Sequence, residues 1–298
     1  MHSENINSAF LDPVVAGDEV DNYYHLGVSS DDPMLAELQG LRAVIMGGSG
    51  ARMTSFASTW SAMNDDAPIL SFPKEDRFVT RYTAGVLFVS HGMGMPSASI
   101  AVQELMRLAY FLKRGNLDEL DRIFWARVGT SGGVGLPGGT VVVTTEGVMA
   151  DLKPYRLLDA HGNYTWFDGH FPTDIASGII QASEGSGIPI ATGATVATNE
   201  FFIEQFRLDG AIALTTTEEK MEWLRRIDDA GVRNIEMEGA MLAAYLNHWG
   251  FSRFAMICAT VVNRLEGDQV TSTPQELHDY NERAGRVLFD YLRRTLMA

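Results

Sequence analysis

An apolar run that ends in a glycine-rich loop is the feature that most constrains this chain. Residues 123–126 are apolar, Arg127 follows them, and glycines interrupt the segment 129–133 before a second apolar run begins at 140. Glycine lets the backbone approach a ligand closely, and loop N–H groups together with the Thr130 hydroxyl can hydrogen-bond anionic oxygens. The pattern predicts a strand that ends in an anion-binding loop, with Arg127 supplying the charge. A glycine-rich turn beside a surface arginine is the alternative.

A second glycine-rich loop has a related pattern. The apolar run at 41–46 continues into GGSGARM, which contains Gly48 and Arg52. A strand, a glycine loop and a helix in this order place backbone N–H groups and the positive end of the helix dipole near Arg52, which suits phosphate. The loop is not a dinucleotide-binding fingerprint, because its glycines do not follow GxGxxG spacing. It also lacks the Gly-Lys-Ser/Thr of a P-loop.

The composition limits the partners and the compartment. The 298 residues carry a net charge of −15, so the bulk surface would repel nucleic acid and anionic membranes. The single cysteine, Cys258, cannot form an internal disulfide or a cysteine-based metal cluster, and no metal is expected. No secretion signal or membrane-spanning run is recognised, which predicts a cytoplasmic protein. We expect one domain over residues 21–298, preceded by a flexible arm at 1–20.

Two later segments carry groups that suit a ligand with a flat ring or a diol. The segment 199–210, NEFFIEQFRLDG, has no helical period. Phe201 can stack on a flat ring while Gln205 and Arg207 hydrogen-bond its edge. In NIEMEG, two glutamates flank Met237 between a short strand and an apolar helix, where they can bind a diol. An exposed acidic helix start is the alternative.

Local signals predict several further elements. Residues 78–83 and 86–90 are predicted to pair as strands. Thr216 and Thr273 each begin a helix-capping signature, with a glutamate three residues later. The segment 151–172 is rich in aromatic and polar residues without a period, which predicts a long irregular loop.

Six motifs between residues 47 and 270 carry a family resemblance. In chain order they are GGSGARM, SHGMGMP, RVGTSGGVGLPGGTVV, EQFRLDG, NIEMEG and VNRLEGDQV. In this order they resemble the uridine phosphorylases of the nucleoside phosphorylase-I family, and they are closer in texture to the animal enzymes than to the bacterial ones. The resemblance implies an α/β fold with a mixed, partly barrel-like central sheet flanked by helices.

The same resemblance implies an activity and a set of partners. The chain would be a pentosyltransferase of pyrimidine salvage that converts uridine and phosphate reversibly into uracil and ribose 1-phosphate. Deoxyuridine and thymidine are further candidate substrates. The resemblance implies no cofactor, with inorganic phosphate as a co-substrate.

Roles for individual residues also follow from the resemblance. It implies phosphate binding by Gly48, Arg52, Arg77, Arg127 and Thr130, ribose binding by His25, Thr130, Met237 and Glu238, and uracil binding by Phe201, Gln205, Arg207, Arg264 and Gly132. The residues implied to act in catalysis are Arg52, Arg127, Gln205 and Arg207. His25 and Arg77 are implied to reach a neighbouring subunit's site, with Arg81 as the alternative to Arg77. This implies a homodimer, with a hexamer as the alternative. Gly239 departs from the family pattern, in which serine is usual.

Two other functions are compatible with parts of this pattern. A paralogue that keeps the fold and binds nucleosides without turnover is one. A purine nucleoside phosphorylase or a hydrolytic nucleosidase of the same fold is the other. The pairing of Gln205 with Arg207 favours a pyrimidine, and the number of arginines assigned to phosphate favours phosphorolysis over hydrolysis.

Overall fold

The computed structural model describes residues 20–296. The flexible arm predicted for residues 1–20 therefore lies, apart from Val20, outside the described residues. The strands in this range are β1 (Asn22–Tyr23), β2 (Val28–Ser29), β3 (Ala43–Gly47), β4 (Thr80–Thr83), β5 (Val86–Ser90), β6 (Phe124–Gly133), β7 (Val141–Met149), β8 (Arg156–Leu158), β9 (Tyr164–Trp166), β10 (Ile190–Ala197), β11 (Val232–Glu236) and β12 (Phe254–Asn263). The α-helices are α1 (Gly50–Ala62), α2 (Met95–Leu112), α3 (Leu117–Asp121), α4 (Thr173–Ala182), α5 (Thr217–Asp229), α6 (Gly239–Trp249) and α7 (Pro274–Leu296).

The described chain forms two compact units. Unit 1 comprises the described residues up to Ala126 together with His248–Phe254, and unit 2 comprises Arg127–Asn247 with the described residues from Ala255 onward. The assignment of residues 21–298 to a single domain stays a prediction.

Unit 1 contains a buried parallel strand pair with an antiparallel neighbour. β3 runs parallel to β5, and β4 pairs antiparallel with β5. All residues of β3 and β5 are buried, which explains their continuous apolar sequence. The predicted turn between β4 and β5 is present, because Ala84 and Gly85 both adopt positive φ, at 47° and 80°. Helix α1 packs on this sheet.

Unit 2 is built on a closed five-stranded barrel. β10 runs parallel to β7 and β11, β12 pairs antiparallel with β7, and β11 closes the ring by pairing antiparallel with β6. This confirms the predicted mixed, partly barrel-like sheet. Closure leaves no free strand edge within the ring, so every barrel strand has two neighbours.

A chain of polar side chains links four of the barrel strands. Thr144 of β7 lies 2.8 Å from Thr195 of β10, and Thr195 donates to Asn234 of β11 at 2.6 Å. Asn234 in turn donates to Ser131 of β6 at 2.9 Å. All four side chains are buried. Because each buried polar group has a partner, the chain fixes the relative register of these strands without leaving an unsatisfied donor.

Helices cover the outside of the unit 2 barrel. α4 packs against α7, and both contact β7. α5 contributes Trp223, Leu224 and Ile227 to an apolar cluster with Val196 of β10. α5 begins with the predicted capping box of Thr216 and Glu219. The predicted Thr273 cap at the start of α7 is also present, with Thr273 accepting from the Glu276 N–H.

The prediction of an irregular loop over 151–172 is wrong in its centre. β8 and β9 form an antiparallel hairpin there. Asp159 holds the turn by accepting the N–H groups of His161 and Asn163, both at 2.8 Å. The Arg156 guanidinium stacks on the rings of two β9 aromatic residues, 5.6 Å and 5.2 Å from their centroids. The hairpin could not be predicted from sequence alternation, because each of its strands has only three residues.

No helix in the described part of the chain is long and apolar enough to cross a membrane.

Candidate active site

Arg127 lies buried between two carboxylates at one end of the unit 2 barrel. Its Nη2 is 3.0 Å from Glu236 Oε2 and also contacts Glu238 Oε2, and its Nη1 donates to the Cys258 sulfur at 2.9 Å. The side chains of Arg127, Glu236 and Glu238 are 7%, 2% and 4% exposed. One guanidinium faces two carboxylates, so the trio keeps a negative charge when all three groups are ionised. The structure therefore excludes a surface arginine at this position.

The glycine-rich loop predicted after Arg127 is wrong. Residues 129–133 continue β6, because this strand pairs with β11 at Gly132 and Gly133.

The buried charges shift each other's protonation. Burial lowers the pKa of Arg127, but Glu238 and Glu236 together outweigh burial and hold that pKa above its ordinary value. Burial raises the pKa of Glu236. Arg127 opposes that rise and Glu238 adds to it. Burial also raises the pKa of the Cys258 thiol to about 11, so the sulfur beside Arg127 is neutral at pH 7. Arg127 is thus a permanent cation, and Glu236 is disposed to accept a proton.

Glu236 also caps the helix that carries Glu238 toward Arg127. β11 ends at Glu236 and α6 begins at Gly239. The Glu236 carboxylate accepts the N–H of Glu238 at 2.9 Å and that of Gly239 at 2.8 Å. An anionic acceptor at a helix N-terminus is favourable, and here it fixes the turn that contains half-buried Met237. The exposed acidic helix start considered above is wrong, because both carboxylates are buried.

The departure at Gly239 has a packing reason. A Cβ at Gly239 would lie 2.6 Å from Met256 Cε and 3.1 Å from Glu236 Oε1. Met256 therefore fills the space that a serine side chain would need. A serine here would require the flexible end of Met256 to move.

Gln205 anchors a second group of predicted residues in unit 2. Its side chain is buried, its Nε2 donates to Thr198 Oγ1 at 3.0 Å, and its carbonyl groups accept from Arg264. Arg264 reaches the main-chain oxygen of Gln205 at 2.8 Å and its Oε1 at 3.4 Å. A Cβ at Gly132 would lie 2.8 Å from Arg264 Cγ, so the Arg264 side chain has room only because residue 132 is glycine. Half-buried Thr130 lies on the same strand.

Thr198 joins the Gln205 group to the Arg127 group. The Thr198 N–H donates to the Glu236 carbonyl at 3.0 Å, while its hydroxyl accepts from Gln205. Since Glu236 contacts Arg127, two residues separate the amide of Gln205 from the guanidinium. The structure therefore brings Arg127, Glu238, Gln205 and Arg264 into one constellation.

Arg207 is held beside an exposed aromatic ring. Its guanidinium carbon is 4.5 Å from the Phe201 ring centroid, a cation–π distance. Its Nε and Nη2 donate to the two carboxylate oxygens of Asp209, at 2.9 Å and 2.6 Å. Phe201 is 43% exposed, so its ring offers a flat open surface. The segment around these residues contains turns and no helix, as predicted.

In unit 1, Gly48 and Arg52 lie where β3 ends and α1 begins. Ser49 is the N-cap of α1 and accepts the Arg52 N–H at 3.4 Å. A Cβ at Gly48 would lie 2.9 Å from the Gly92 carbonyl oxygen, so the loop needs glycine there for close backbone approach. The strand, loop and helix predicted for this segment are confirmed.

His25 and Arg77 line the same cleft of unit 1, which has a volume of about 330 Å³. Glu104 of α2 holds His25: its carboxylate lies 2.6 Å from Nδ1 and accepts the main-chain N–H groups of His25 and Leu26. This contact leaves the other ring nitrogen, Nε2, for a ligand. The structure thus brings together two residues that the sequence assigned to the same partner-facing role.

The structure also distinguishes Arg77 from the alternative candidate, Arg81, by the contacts that each makes. Arg81 contacts the carboxylate of Glu75 and donates to the Thr80 carbonyl at 2.6 Å. Its charge is therefore already paired with a carboxylate of the same chain. Arg77 is exposed and lines the cleft with His25. This arrangement favours Arg77 as the arginine that can meet an external anion.

Sequence reasoning missed several polar partners of the predicted residues. They are Glu104 beside His25, Thr198 beside Gln205, Asp209 beside Arg207, and Asp268 with Lys220 beside Arg264. Asp268 lies within one of the quoted motifs, which was the available signal. Glu104 is 79 residues from His25, and no local pattern connects them. Among the described residues, no group of three or more His, Cys, Asp and Glu side chains could hold a metal ion.

The family model of the phosphorylase superfamily matches residues 42–296. The chain belongs to the phosphorylase superfamily. This match includes Arg127, Gln205 and Glu238, whereas His25 lies before it.

Other members of the phosphorylase superfamily resemble this chain over most of its length. The uridine and thymidine phosphorylase of Caenorhabditis elegans is 33% identical over 279 residues, covering 93% of this chain and 92% of that protein. The inactive uridine phosphorylase B of Schistosoma mansoni is 31% identical, covering 92% of each. A crystal structure of Schistosoma mansoni uridine phosphorylase in complex with uracil has a TM-score of 0.86 and 29% identity, covering 97% of this chain and 98% of that one.

Replacing Arg127 with methionine should make stability strongly dependent on pH. The cation that both carboxylates contact is lost, so the folded-state pKa of Glu236 rises further above its unfolded value of about 4. Such a group destabilises the fold increasingly as pH rises above that unfolded value. We expect the thermal midpoint of Arg127→Met to fall further below that of the parent at pH 8 than at pH 5. Arg122→Met, which removes a surface partner of Glu119, is the control and should shift the midpoint little. A gap for Arg127→Met that is the same at both pH values would contradict the assigned charge balance.

Proposed function

We propose that this chain catalyses the reversible phosphorolysis of uridine to uracil and ribose 1-phosphate. The observation that carries the proposal is the buried Gln205, whose amide is oriented by Thr198 and Arg264 beside the Arg207–Phe201 stack. An amide with guanidinium groups matches the alternating carbonyl and N–H edge of uracil. The relative named uridine and thymidine phosphorylase, and the solved structure of a uridine phosphorylase with uracil bound, support the same substrate.

The reaction needs charge at three places along one line. A phosphate oxygen attacks C1′ of the ribose as the C1′–N1 bond breaks, and the bonding electron pair leaves with uracil. The sugar passes through a cationic state between two anions. Inorganic phosphate is a co-substrate, and no cofactor is required.

The phosphate end is assigned to arginines and loop groups. Arg127 presents a permanent charge, and Thr130 adds a hydroxyl on the same strand. In unit 1, Gly48 and Arg52 at the start of α1 keep their predicted role in phosphate binding. Because two carboxylates already share Arg127, a phosphate dianion bound there needs further cations and N–H groups beside it.

The sugar and the base take the remaining groups. Glu238 accepts hydrogen bonds from the ribose hydroxyls and Met237 contacts the ring, while His25 from a neighbouring subunit reaches the 5′-hydroxyl. Phe201 stacks on uracil while Gln205 and Arg207 bind its polar edge. Arg264 donates a hydrogen bond to the main-chain carbonyl of Gln205, and Gly132 leaves room for the Arg264 side chain. Positive charge at this end stabilises uracil as it becomes anionic, so protonation of the base is not essential.

A nucleoside-binding paralogue without turnover is the second candidate. The similarity to an inactive uridine phosphorylase of Schistosoma mansoni keeps this alternative in view. The full set of proposed phosphate residues and the buried Gln205 favour an active enzyme. A homodimer is also proposed, and it rests on the sequence resemblance; the cytoplasmic location stays a prediction.

Release of uracil from uridine, measured with and without phosphate, tests the proposal. We expect release only with phosphate, and no comparable release of hypoxanthine from inosine. Release without phosphate would indicate a hydrolase, and preferential cleavage of inosine a purine enzyme. Binding of uridine with no release would indicate the inactive paralogue.

The roles proposed for Arg77 and Arg81 can be compared directly. Arg77→Ala should raise the phosphate KM on the order of tenfold or more, because it removes an exposed cation that meets the anion. Arg81→Ala is the matched control, since Arg81 is engaged by Glu75, and it should leave that KM within about twofold. Steady-state kinetics at saturating uridine supply both values. A larger effect from Arg81→Ala would reverse the assignment.

A further inference from the structure

Asp268 is a buried carboxylate to which the proposed mechanism gives no task. It lies five residues after β12, and its side chain is 6% exposed. Oδ1 accepts from Arg264 Nε at 3.0 Å and from Lys220 Nζ at 2.8 Å. Oδ2 accepts the Leu208 N–H at 3.0 Å. A buried carboxylate with three donors is fully satisfied, so its position is sharply defined.

The contacts of Asp268 converge on the proposed base-binding residues. Through its carboxylate it holds Arg264, whose Nη1 and Nη2 reach Gln205. Through its main-chain carbonyl it accepts from Arg207 Nη2 at 3.0 Å. Asp268 holds Arg264 and Arg264 holds Gln205, so Asp268 acts on the amide through Arg264.

The charges around Asp268 are unequal. Arg207, Arg264 and Lys220 are cationic, whereas Asp268 and Asp209 are the carboxylates that pair with them. The cluster therefore keeps one positive charge. Burial raises the pKa of Asp268, but the Leu208 N–H, Lys220 and Arg264 outweigh burial and hold that pKa below its ordinary value. The carboxylate thus stays ionised at neutral pH, and the surplus charge remains for the departing base.

We propose that Asp268 is a positioning residue for uracil: it orients Arg264, and through it Gln205, so that both stabilise the negative charge on the leaving base. This inference rests on the proposed uridine phosphorolysis. Lys220 contacts the same Oδ1 as Arg264, and its charge keeps the carboxylate compatible with burial.

Charge and position predict opposite effects when Asp268 is neutralised. If only the local charge mattered, Asp268→Asn would make the cluster more positive and would speed departure of an anionic base. If position matters, the change is harmful, because asparagine can present an oxygen to only one of the two donor sets. Either Leu208 N–H or the Arg264 and Lys220 pair would then face an N–H group.

The test compares two nucleosides with different leaving groups. Uridine and 5-fluorouridine share a ribose, but electron-withdrawing fluorine makes 5-fluorouracil the better anionic leaving group. We expect Asp268→Asn to lower kcat/KM for uridine on the order of tenfold or more, and to lower it clearly less for 5-fluorouridine. The phosphate KM should stay within about twofold of the parent.

The matched control is Asp228→Asn, which removes the carboxylate partner of Arg233 on the surface of the same unit. It should leave kcat/KM for both nucleosides unchanged. If Asp268→Asn does not fold, the double variant Lys220→Met with Asp268→Asn replaces it, because that variant loses a cation and an anion together. The same selective loss is expected from it.

Each outcome decides the inference. A loss that is larger for uridine than for 5-fluorouridine, with phosphate binding intact, supports it. An equal loss for both nucleosides, no loss, or a gain would overturn it. If the parent itself releases no uracil in phosphate, the proposed function fails and this inference fails with it. The assay of the parent protein distinguishes these two failures, because the parent releases uracil when only the inference is wrong.

Discussion

The buried positive charge of Arg127 must be stabilised without water, and this requirement determines which residues surround it. A buried cation is costly unless carboxylates and hydrogen bonds replace water, and Glu236 and Glu238 provide both. Glu236 is itself fixed by the N-terminus of α6, whose first N–H groups it accepts. The end of one strand, the start of one helix and the guanidinium therefore depend on each other. Removing the guanidinium leaves two buried carboxylates without their cation.

Much of this arrangement could be predicted, because it depends on residues that are close together in the sequence. Two glutamates between a strand and a helix are a short pattern with a physical meaning. The apolar run before Arg127 likewise predicted a strand, although the glycines after it continue that strand and do not form a loop. The barrel-like fold came from the order of motifs resembling a family, not from periodicity. Local patterns also predicted the turn at Ala84 and the absence of a helix around Gln205, since both depend on neighbouring residues.

Contacts between distant residues were not predictable in the same way. Glu104 holds His25, and Asp268 holds Arg264 together with Lys220, through side chains that meet only in the folded chain. The hairpin of β8 and β9 was missed for a different reason. Its strands are too short for an alternation, and stacking of Arg156 on two aromatic rings stabilises it. In both cases the decisive interaction is tertiary, so single-segment patterns do not contain it.

The central claim is that the Arg127 fork binds phosphate even though two carboxylates share it. Calorimetric titration of inorganic phosphate into the parent and into Arg127→Lys, without nucleoside, tests this most directly. Lysine keeps the charge for Glu236 and Glu238 but cannot grip two phosphate oxygens at once. The account predicts saturable phosphate binding by the parent and a Kd raised on the order of tenfold or more in the variant. The same Kd in both proteins would contradict it.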